Sequence, residues 1–431
     1  MNLTKNFKCV NIITNFKGVC NVEEKYLVVN AGSSSLKFRL YNVENENVIV
    51  EGVVEKIREE DSKLILKYQG QKQIINDKIN DHGYAVELVL NALLNYGFLN
   101  SIDEIKGIGH RILHGGEFYS DAQLINDEVI SNIESIMELG KLHLPSQLAV
   151  VKIFNEKLPN VAQVGEFDTS YHATIPESNF RYAIPENLYT EHGARKYGFH
   201  GISYEYITEQ MQEKLGKQDV NLIACHLGSG ASITAIKNGL SYDTSMGMTP
   251  LDGLVMGTRC GSIDPALVEY ICKITGKTVE ETINLLNFES GLLGICGKND
   301  IRDIEELYNE GDKKAILAVE MFVRTIVDYI ASYYIELKGK VDAIVFTAGI
   351  GENSIFIREK VISRLTALGI YINEAANNQI ASYKEIQEGI ISDYGSEIPV
   401  WVVPTNEELQ ILHKMSAILN HTNTRLTRRG K

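Results

Sequence analysis

Residues Tyr26–Leu40 read YLVVNAGSSSLKFRL, and the pattern changes twice within them. Tyr26, Leu27, Val28 and Val29 form an apolar run of aromatic, β-branched and aliphatic side chains, the signature of a buried strand. Asn30 to Ser35 are small residues that turn sharply and bare their backbone N–H groups. Apolar and polar residues then alternate through Leu36, Lys37, Phe38, Arg39 and Leu40, which predicts a second strand returning antiparallel to the first. A tight Gly/Ser hairpin with a lysine beside it makes a phosphate clamp. Amide and hydroxyl donors point at oxygen, and the ammonium adds a point charge. It is not a P-loop, because the G-x-x-x-x-G-K-[ST] spacing is absent and no helix follows. Taken alone, the stretch also fits an ordinary serine-rich hairpin.

The same layout returns later in the chain. Asn221 to Cys225 is an apolar strand, broken at His226-Leu227-Gly228-Ser229-Gly230-Ala231-Ser232, with alternation resuming through Ile233–Ile236. Two such hairpins predict an internal repeat: two similar lobes, each offering a phosphate hairpin to a shared cleft. Around them the pattern predicts strands at Val48–Val54, Leu64–Tyr68, Ile105–Ile108, Asn160–Glu166, Val341–Thr347 and Val400–Val403, and a helix over 83–96. A long helix is predicted over 313–337. Phe322, Ile326 and Ile330 lie on one face and Leu317, Met321 and Val327 on the other, so burial on several sides is expected. The strand ending at Thr347 runs into Ala348-Gly349-Ile350-Gly351-Glu352-Asn353, a strand–glycine–helix layout common at nucleotide sites.

The bulk numbers narrow the class. The 431 residues, 44% hydrophobic and 23% charged, describe a globular chain of two or three domains. A net charge of −14 argues against a polyanionic partner such as nucleic acid, yet leaves room for a local field that binds a small anion. No apolar run approaches the roughly 20 residues of a membrane span. Six cysteines without C-x-x-C spacing fit a reducing cytoplasm. Residues 1–25 carry lysines but no signal-peptide core and predict a disordered tail; residues 421–431 predict a solvated basic tail.

Several residues carry candidate chemistry. Arg111, Arg259 and Arg302 sit where strands end or loops turn, and a guanidinium beside glycines suits an anion. His200 and His226 lie at glycine-flanked turns, which favours phosphate or carbonyl contact over a zinc site. Asp168 and Glu407 are carboxylates at turns; with Asn30 they could hold Mg²⁺ through water.

These residues fall within stretches that resemble acetate kinases: VVNAGSSSLKF, GHRILHGGE, EFDTSYHATIP, RKYGFHGIS, ACHLGSGASI, DTSMGMTPLDGLVMGTRCG, TAGIGEN and VPTNEEL. The resemblance covers about Tyr26 to Met415 and implies an α/β fold of two actin-like, ribonuclease H-like lobes. Their mixed sheets are flanked by helices, with a nucleotide cleft between them. It implies a first lobe over 26–172, completed by 408–420, and a second over 173–407. By position, Asn30 and Glu407 resemble the metal contacts, for Mg²⁺ or alternatively Mn²⁺. Ser33, Ser35 and Lys37 resemble one phosphate loop, and His226, Leu227, Gly228, Ser229 and Gly230 the other. Asp300, Ile301 and Arg302, with Gly349, Ile350, Gly351, Glu352 and Asn353, resemble the adenosine-binding segments. Arg111 resembles the carboxylate holder, Asp168 the essential acid, and His200 with Arg259 the pair stabilising the transferring phosphoryl group. Leu113, Leu142, Phe199 and Pro250 are expected around the acyl group, with Leu113 replacing the family's smaller valine and tightening the pocket. The expected reaction is reversible transfer from ATP to acetate, giving acetyl phosphate and ADP in a homodimer. A propionate or other short-chain acyl kinase, and a non-catalytic ATPase switch of the heat-shock or actin type, are the alternatives. Three motifs depart from the family pattern: H-N-P reads His143-Leu144-Pro145, G-T-S-H reads Gly201-Ile202-Ser203-Tyr204, and GTRSGDIDPA carries Cys260 and Ser262.

Overall fold

The computed structural model describes residues 24–429, with side chains to residue 420. The expected N-terminal tail lies outside the described residues except at its end. There Lys25 is the first residue of a strand, its ammonium buried against Glu104 at 2.6 Å.

Two sheets organise the chain. The first contains β1 (Lys25–Ala31), β2 (Leu36–Asn42), β3 (Val48–Glu55), β4 (Lys63–Tyr68), β5 (Gln71–Asn76), β6 (Ile105–Ile112), β7 (Gln123–Leu124) and β8 (Ala162–Phe167), in the order β5-β4-β3-β2-β1-β6-β8-β7. The second contains β9 (Leu222–Leu227), β10 (Ala231–Lys237), β11 (Leu240–Thr244), β12 (Ala343–Thr347), β13 (Gly389–Ile390) and β14 (Val400–Val402), in the order β11-β10-β9-β12-β14-β13. At the heart of each sheet an antiparallel three-strand meander is followed by two parallel strands: β3-β2-β1-β6-β8 and β11-β10-β9-β12-β14. The two hairpins of the sequence are the matching first turns of this duplicated layout. The resulting architecture is two actin-like lobes.

Burial explains the patterns. Leu27 and Val29 of β1 pack with the helices His82–Asn95 and Leu144–Lys157, while Tyr26 and Val28 pack with the last helix, Glu407–Arg429. A strand covered on both faces reads as a continuous apolar run rather than an alternation. The last helix lies close because β6 carries glycines: a Cβ at Gly109 would stand 2.6 Å from Ile411 Cγ2. This close approach fixes the start of that helix, Glu407, over the ends of β1 and β6. The second sheet is sandwiched between the long helix Lys313–Glu336 and the helix Gly201–Leu215.

Three expectations change. The long helix buries one stripe only; Leu317 is 52% exposed and Met321 also faces out, because a helix laid on one sheet presents one face to it. The expected C-terminal tail continues the last helix through Arg429. Strand β5, at the edge of the first sheet, has no counterpart in the sequence reading. Only its Ile74 and Ile75 are apolar, so neither period stands out.

Every loop at the C-terminal ends of β1, β6, β8, β9, β12 and β14 opens toward the same region between the lobes, as parallel strands direct them.

Candidate active site

The centre of the cleft is an arginine shared by two carboxylates. Arg111, near the end of β6, grips Asp168 with two hydrogen bonds, Nε donating to Oδ1 at 3.0 Å and Nη2 to Oδ2. Its Nη1 donates to Asn30 Oδ1 at 3.4 Å, and Glu407 Oε2 lies 3.8 Å from Nε. Asp168 is fully buried; burial raises its pKa and Arg111 pulls it back. Burial pushes Glu407 up to about 7, with Arg111 opposing and the charge of Asp168 adding to it. Since the guanidinium fork engages Asp168, Glu407 is the carboxylate short of positive charge. Both Asp168 oxygens are occupied by Arg111, the arrangement of a group that orients another rather than one that takes a proton from substrate.

His200 is held from two sides. It precedes the helix Gly201–Leu215 in left-handed backbone geometry, φ 58°. Gly201 then lies so tightly on Asp168 that a Cβ would come within 2.3 Å of its carbonyl oxygen, to which the Gly201 N–H donates at 2.8 Å. The His200 and His226 rings stack with centroids 4.0 Å apart. Nδ1 of His200 bonds Ser232 Oγ and Nδ1 of His226 bonds Ser203 Oγ, both at 2.8 Å. Both rings are neutral. Burial, His226 and the two arginines hold His200 well below the ordinary range, and burial with Arg111 takes His226 down to about 3.

Arg259 completes the cluster. A Cβ at Gly230 would stand 3.3 Å from Arg259 Nη1 and 3.6 Å from His200 Nε2, so both groups face one small space above the second hairpin. Nη1 donates to the Pro250 carbonyl at 3.3 Å. Among the described residues no carboxylate pairs with Arg259. Burial lowers its pKa and Arg111 adds repulsion. His143, which the sequence offers only as the first residue of the departing His143-Leu144-Pro145 motif, belongs here too. Burial and the fields of Arg111 and Arg259 push it down to about 4. The available signal was its place directly after Leu142, which was singled out for the acyl group.

A cavity of about 630 Å³ opens beside this centre. Gly228, Ser229, Asp300, Ile301, Arg302, Gly349, Ile350 and Asn353 line it, together with Asn299, Glu305, Ser354, Ser382 and Tyr383. Asp300 caps the helix Ile301–Asn309 and holds Arg302 through Nε at 2.9 Å and Nη2 at 2.6 Å, which lowers the Asp300 pKa to about 2. Arg302, 84% exposed at its side chain, stands at the cavity mouth. Gly351 and Glu352 do not line the cavity. Their carbonyls accept from Arg358, and Glu352 Oε1 accepts from the Thr405 N–H at 3.1 Å, so they brace the loop from behind. Leu227 is buried in the core under the hairpin. On the first hairpin Ser33 and Lys37 are exposed, and Gly32 N–H closes the turn on the Ser35 carbonyl at 2.8 Å.

The expected acyl wall divides. Leu142 is exposed, Pro250 sits beside Arg259, and Phe199 is buried beneath His200. Leu113 turns away from its expected task. Its Cδ2 approaches the bare face of Gly140, where Leu144 Cγ also packs, and its N–H is taken by Gln147 Oε1 at 2.9 Å. The extra carbon relative to valine therefore fills core against Leu144, itself a departure from the family's asparagine.

The model of the acetokinase family matches residues 25–413. The acetate kinases of Bacillus cytotoxicus and Bacillus subtilis (strain 168) are each 48% identical over 390 residues, covering 90% of this chain and 97% of theirs. Among solved structures, a propionate kinase from Francisella tularensis superposes with TM-score 0.86 at 40% identity, covering 91% of this chain and 99% of that one. Porphyromonas gingivalis acetate kinase superposes with TM-score 0.86 at 39% identity, covering 92% and 100%. A match that runs from β1 into the last helix takes in both sheets and every loop of the cleft, and the chain belongs to the acetokinase family, kinases that phosphorylate the carboxyl group of acetate.

Proposed function

We propose that the site moves the γ-phosphoryl group of ATP reversibly onto acetate, using the residues gathered around Arg111 and Arg259. The observation that supports this most is Arg259: a half-buried guanidinium with no carboxylate partner among the described residues, beside a second arginine and two neutral histidines. Such a cluster has charge and donors to offer an anion. A carboxylate acceptor fits it, since short-chain acids titrate near pKa ~4–5 and arrive already ionised. The barrier is the approach of one anion to another, and positioning with charge neutralisation lowers it. In this reading Arg111, oriented by Asp168, holds the acetate carboxylate. Arg259 and Nε2 of His200 meet the equatorial oxygens of the phosphoryl group in transit. The methyl group rests against Leu142, Phe199 and Pro250. The nucleotide occupies the cavity lined by Gly228, Asp300–Arg302, Gly349, Ile350 and Asn353, and Ser33, Ser35 and Lys37 close on its phosphates from the other lobe.

Mg²⁺, or Mn²⁺ in its place, fits Asn30 and Glu407: both offer oxygen, and Glu407 lacks a full counter-charge. When bound, the ion would neutralise phosphate charge. Glu407 would keep it in register with Asn30.

The lobes divide in this reading at 26–172 with 408–420, and 173–407. Homodimerisation would cover the helix Ala266–Thr275, which buries none of its own residues and exposes Leu267, Tyr270 and Ile274. Free Cys225, Cys260, Cys272 and Cys296 are in keeping with a cytoplasmic setting. No described helix is long and apolar enough to cross a membrane.

Trapping the product with hydroxylamine tests the reading. ATP with acetate should give acetyl hydroxamate, in preference to propionate, with butyrate poorest. Nucleotide hydrolysis without any hydroxamate would show an ATPase switch instead. Equal rates on propionate would favour the second reading, which the Francisella tularensis propionate kinase likeness keeps in view.

A further inference from the structure

One departure from the family pattern lies directly behind the site. Tyr204 takes the position of the family's histidine in Gly201-Ile202-Ser203-Tyr204 and is completely buried on the helix Gly201–Leu215. Its Oη lies 2.6 Å from Ser232 Oγ, and Ser232 Oγ lies 2.8 Å from Nδ1 of His200. We propose that Tyr204 is a positioning residue that sets the tautomer of His200 through Ser232, so that Nε2 presents a proton to the transferring phosphoryl group. The inference rests on the reading of His200 given above and names what holds it in its working form.

Ser232 has one hydroxyl proton and stands between two partners. In one arrangement Tyr204 donates to Ser232 and Ser232 donates to Nδ1, which leaves the His200 proton on Nε2. In the other, Nδ1–H donates to Ser232, Ser232 donates to Tyr204, and Nε2 is a bare acceptor. The phenol is the more acidic hydroxyl and hence the better donor, and the Tyr204–Ser232 separation is short for a hydroxyl pair. In the second arrangement the Tyr204 proton would have to turn to Thr234 Oγ1, which also bonds Thr244 Oγ1 at 2.8 Å, and the short bond to Ser232 would lose its donor phenol. Because the ring is neutral, the tautomer decides whether it can help at all. Nε2 faces the space it shares with Arg259 Nη1, and a phosphoryl oxygen there needs N–H, not a lone pair. The same wiring recurs one ring away, where Thr405 Oγ1 and Ser203 Oγ, 2.8 Å apart, stand behind Nδ1 of His226.

Tyr204→Phe, Tyr204→His, Ser232→Ala, the Tyr204→Phe/Ser232→Ala double variant and His200→Ala test this. Nitrogen-15 NMR of the histidine-labelled wild type, on the nitrogen pair that vanishes in His200→Ala, should report Nε2–H; an Nδ1–H signal overturns the proposal whatever becomes of the Tyr204 and Ser232 variants. In kinetics, Tyr204→Phe should lower kcat on the order of tenfold, with KM for ATP and acetate within about twofold. The double variant should be no worse than Ser232→Ala, and Tyr204→His should recover part of the loss. A Tyr204→Phe enzyme within twofold of wild-type kcat, or additive losses in the double variant, overturns the relay. Wild-type kcat in His200→Ala would instead sink the role given to His200, and the kinetic half of this proposal with it, while the NMR result still judges the tautomer.

Discussion

Arg111 and Arg259 bring the same charge into one cleft in opposite company, and their alanine variants should differ accordingly. Arg111→Ala should raise KM for acetate more than it lowers kcat. It also strands the buried Asp168, so a melting scan should show a marked loss, about 3–5 kcal/mol by analogy with broken buried pairs. Arg259→Ala strands no carboxylate. It should lower kcat by about 2–4 kcal/mol of transition-state stabilisation while leaving the melting temperature unchanged or higher. Equal shifts in both parameters for both variants would refute this division. Glu166 gives a pH prediction. Ser170 Oγ donates to one of its oxygens at 2.9 Å, the other has no partner, and burial with the charge of Glu205 pushes its pKa up to about 8. The folded chain thus keeps a proton that the unfolded chain releases above roughly pH 4.3. Stability from this group is complete below that pH and falls as pH rises through about 8, by up to ~1.4 kcal/mol per unit. Glu166→Gln should match wild type at pH 5 and melt several degrees higher at pH 9; a lower melting point at both would refute the assignment. Legibility at this scale follows locality. Arg111, Asp168, His200 and Arg259 stood out because glycines and turns flank them in sequence. Ser382 and Tyr383 lie in a stretch with no glycine beside them, and tertiary folding alone carries them to the cleft.

Among the elements, the hairpins and helices with one clean period were readable, and what failed was the count of covered faces. The period of 313–337 announces a helix, but it cannot say whether a second layer lies over Leu317 and Met321. The absence of side chains at Gly107 and Gly109, which lets the last helix settle on β6, likewise has meaning only once a partner at Leu419 and Ile411 is known. The segments carrying Leu113 and Leu144 show the same limit. Each departure, taken alone, points at the acyl site; together they fill one patch of core beside Gly140. Leu113→Ala should therefore cost about 2–5 kcal/mol in urea unfolding and leave the ratio of acetate to propionate kcat/KM unchanged. A widened acid range with little loss of stability would return Leu113 to the acyl wall.

For the molecule as a whole, the duplicated strand order was visible from two short hairpins because the Gly/Ser turns mark equivalent points in both lobes. Assembly is the next test. Tyr270 at 59% and Ile274 at 63% exposure lie on a helix whose outer face no other described residue covers. Tyr270→Glu with Ile274→Glu should convert a species of twice the chain mass into a monomer in light scattering; a wild type already monomeric would remove the dimer. The largest apolar cluster among the described residues spans both sheets: Ile112, Leu113 and Phe167, at the ends of β6 and β8, join Phe199, Leu227, Met256 and the β9–β12 core. The floor of the cleft is thus a shared wall, and neither lobe can shed it alone. Heat should melt the protein in one calorimetric transition, with slow-exchanging amides in both sheets released together. Any closing of the cleft would then proceed as a shallow slide over this common floor, with the hydrocarbon beneath it never wetted during turnover.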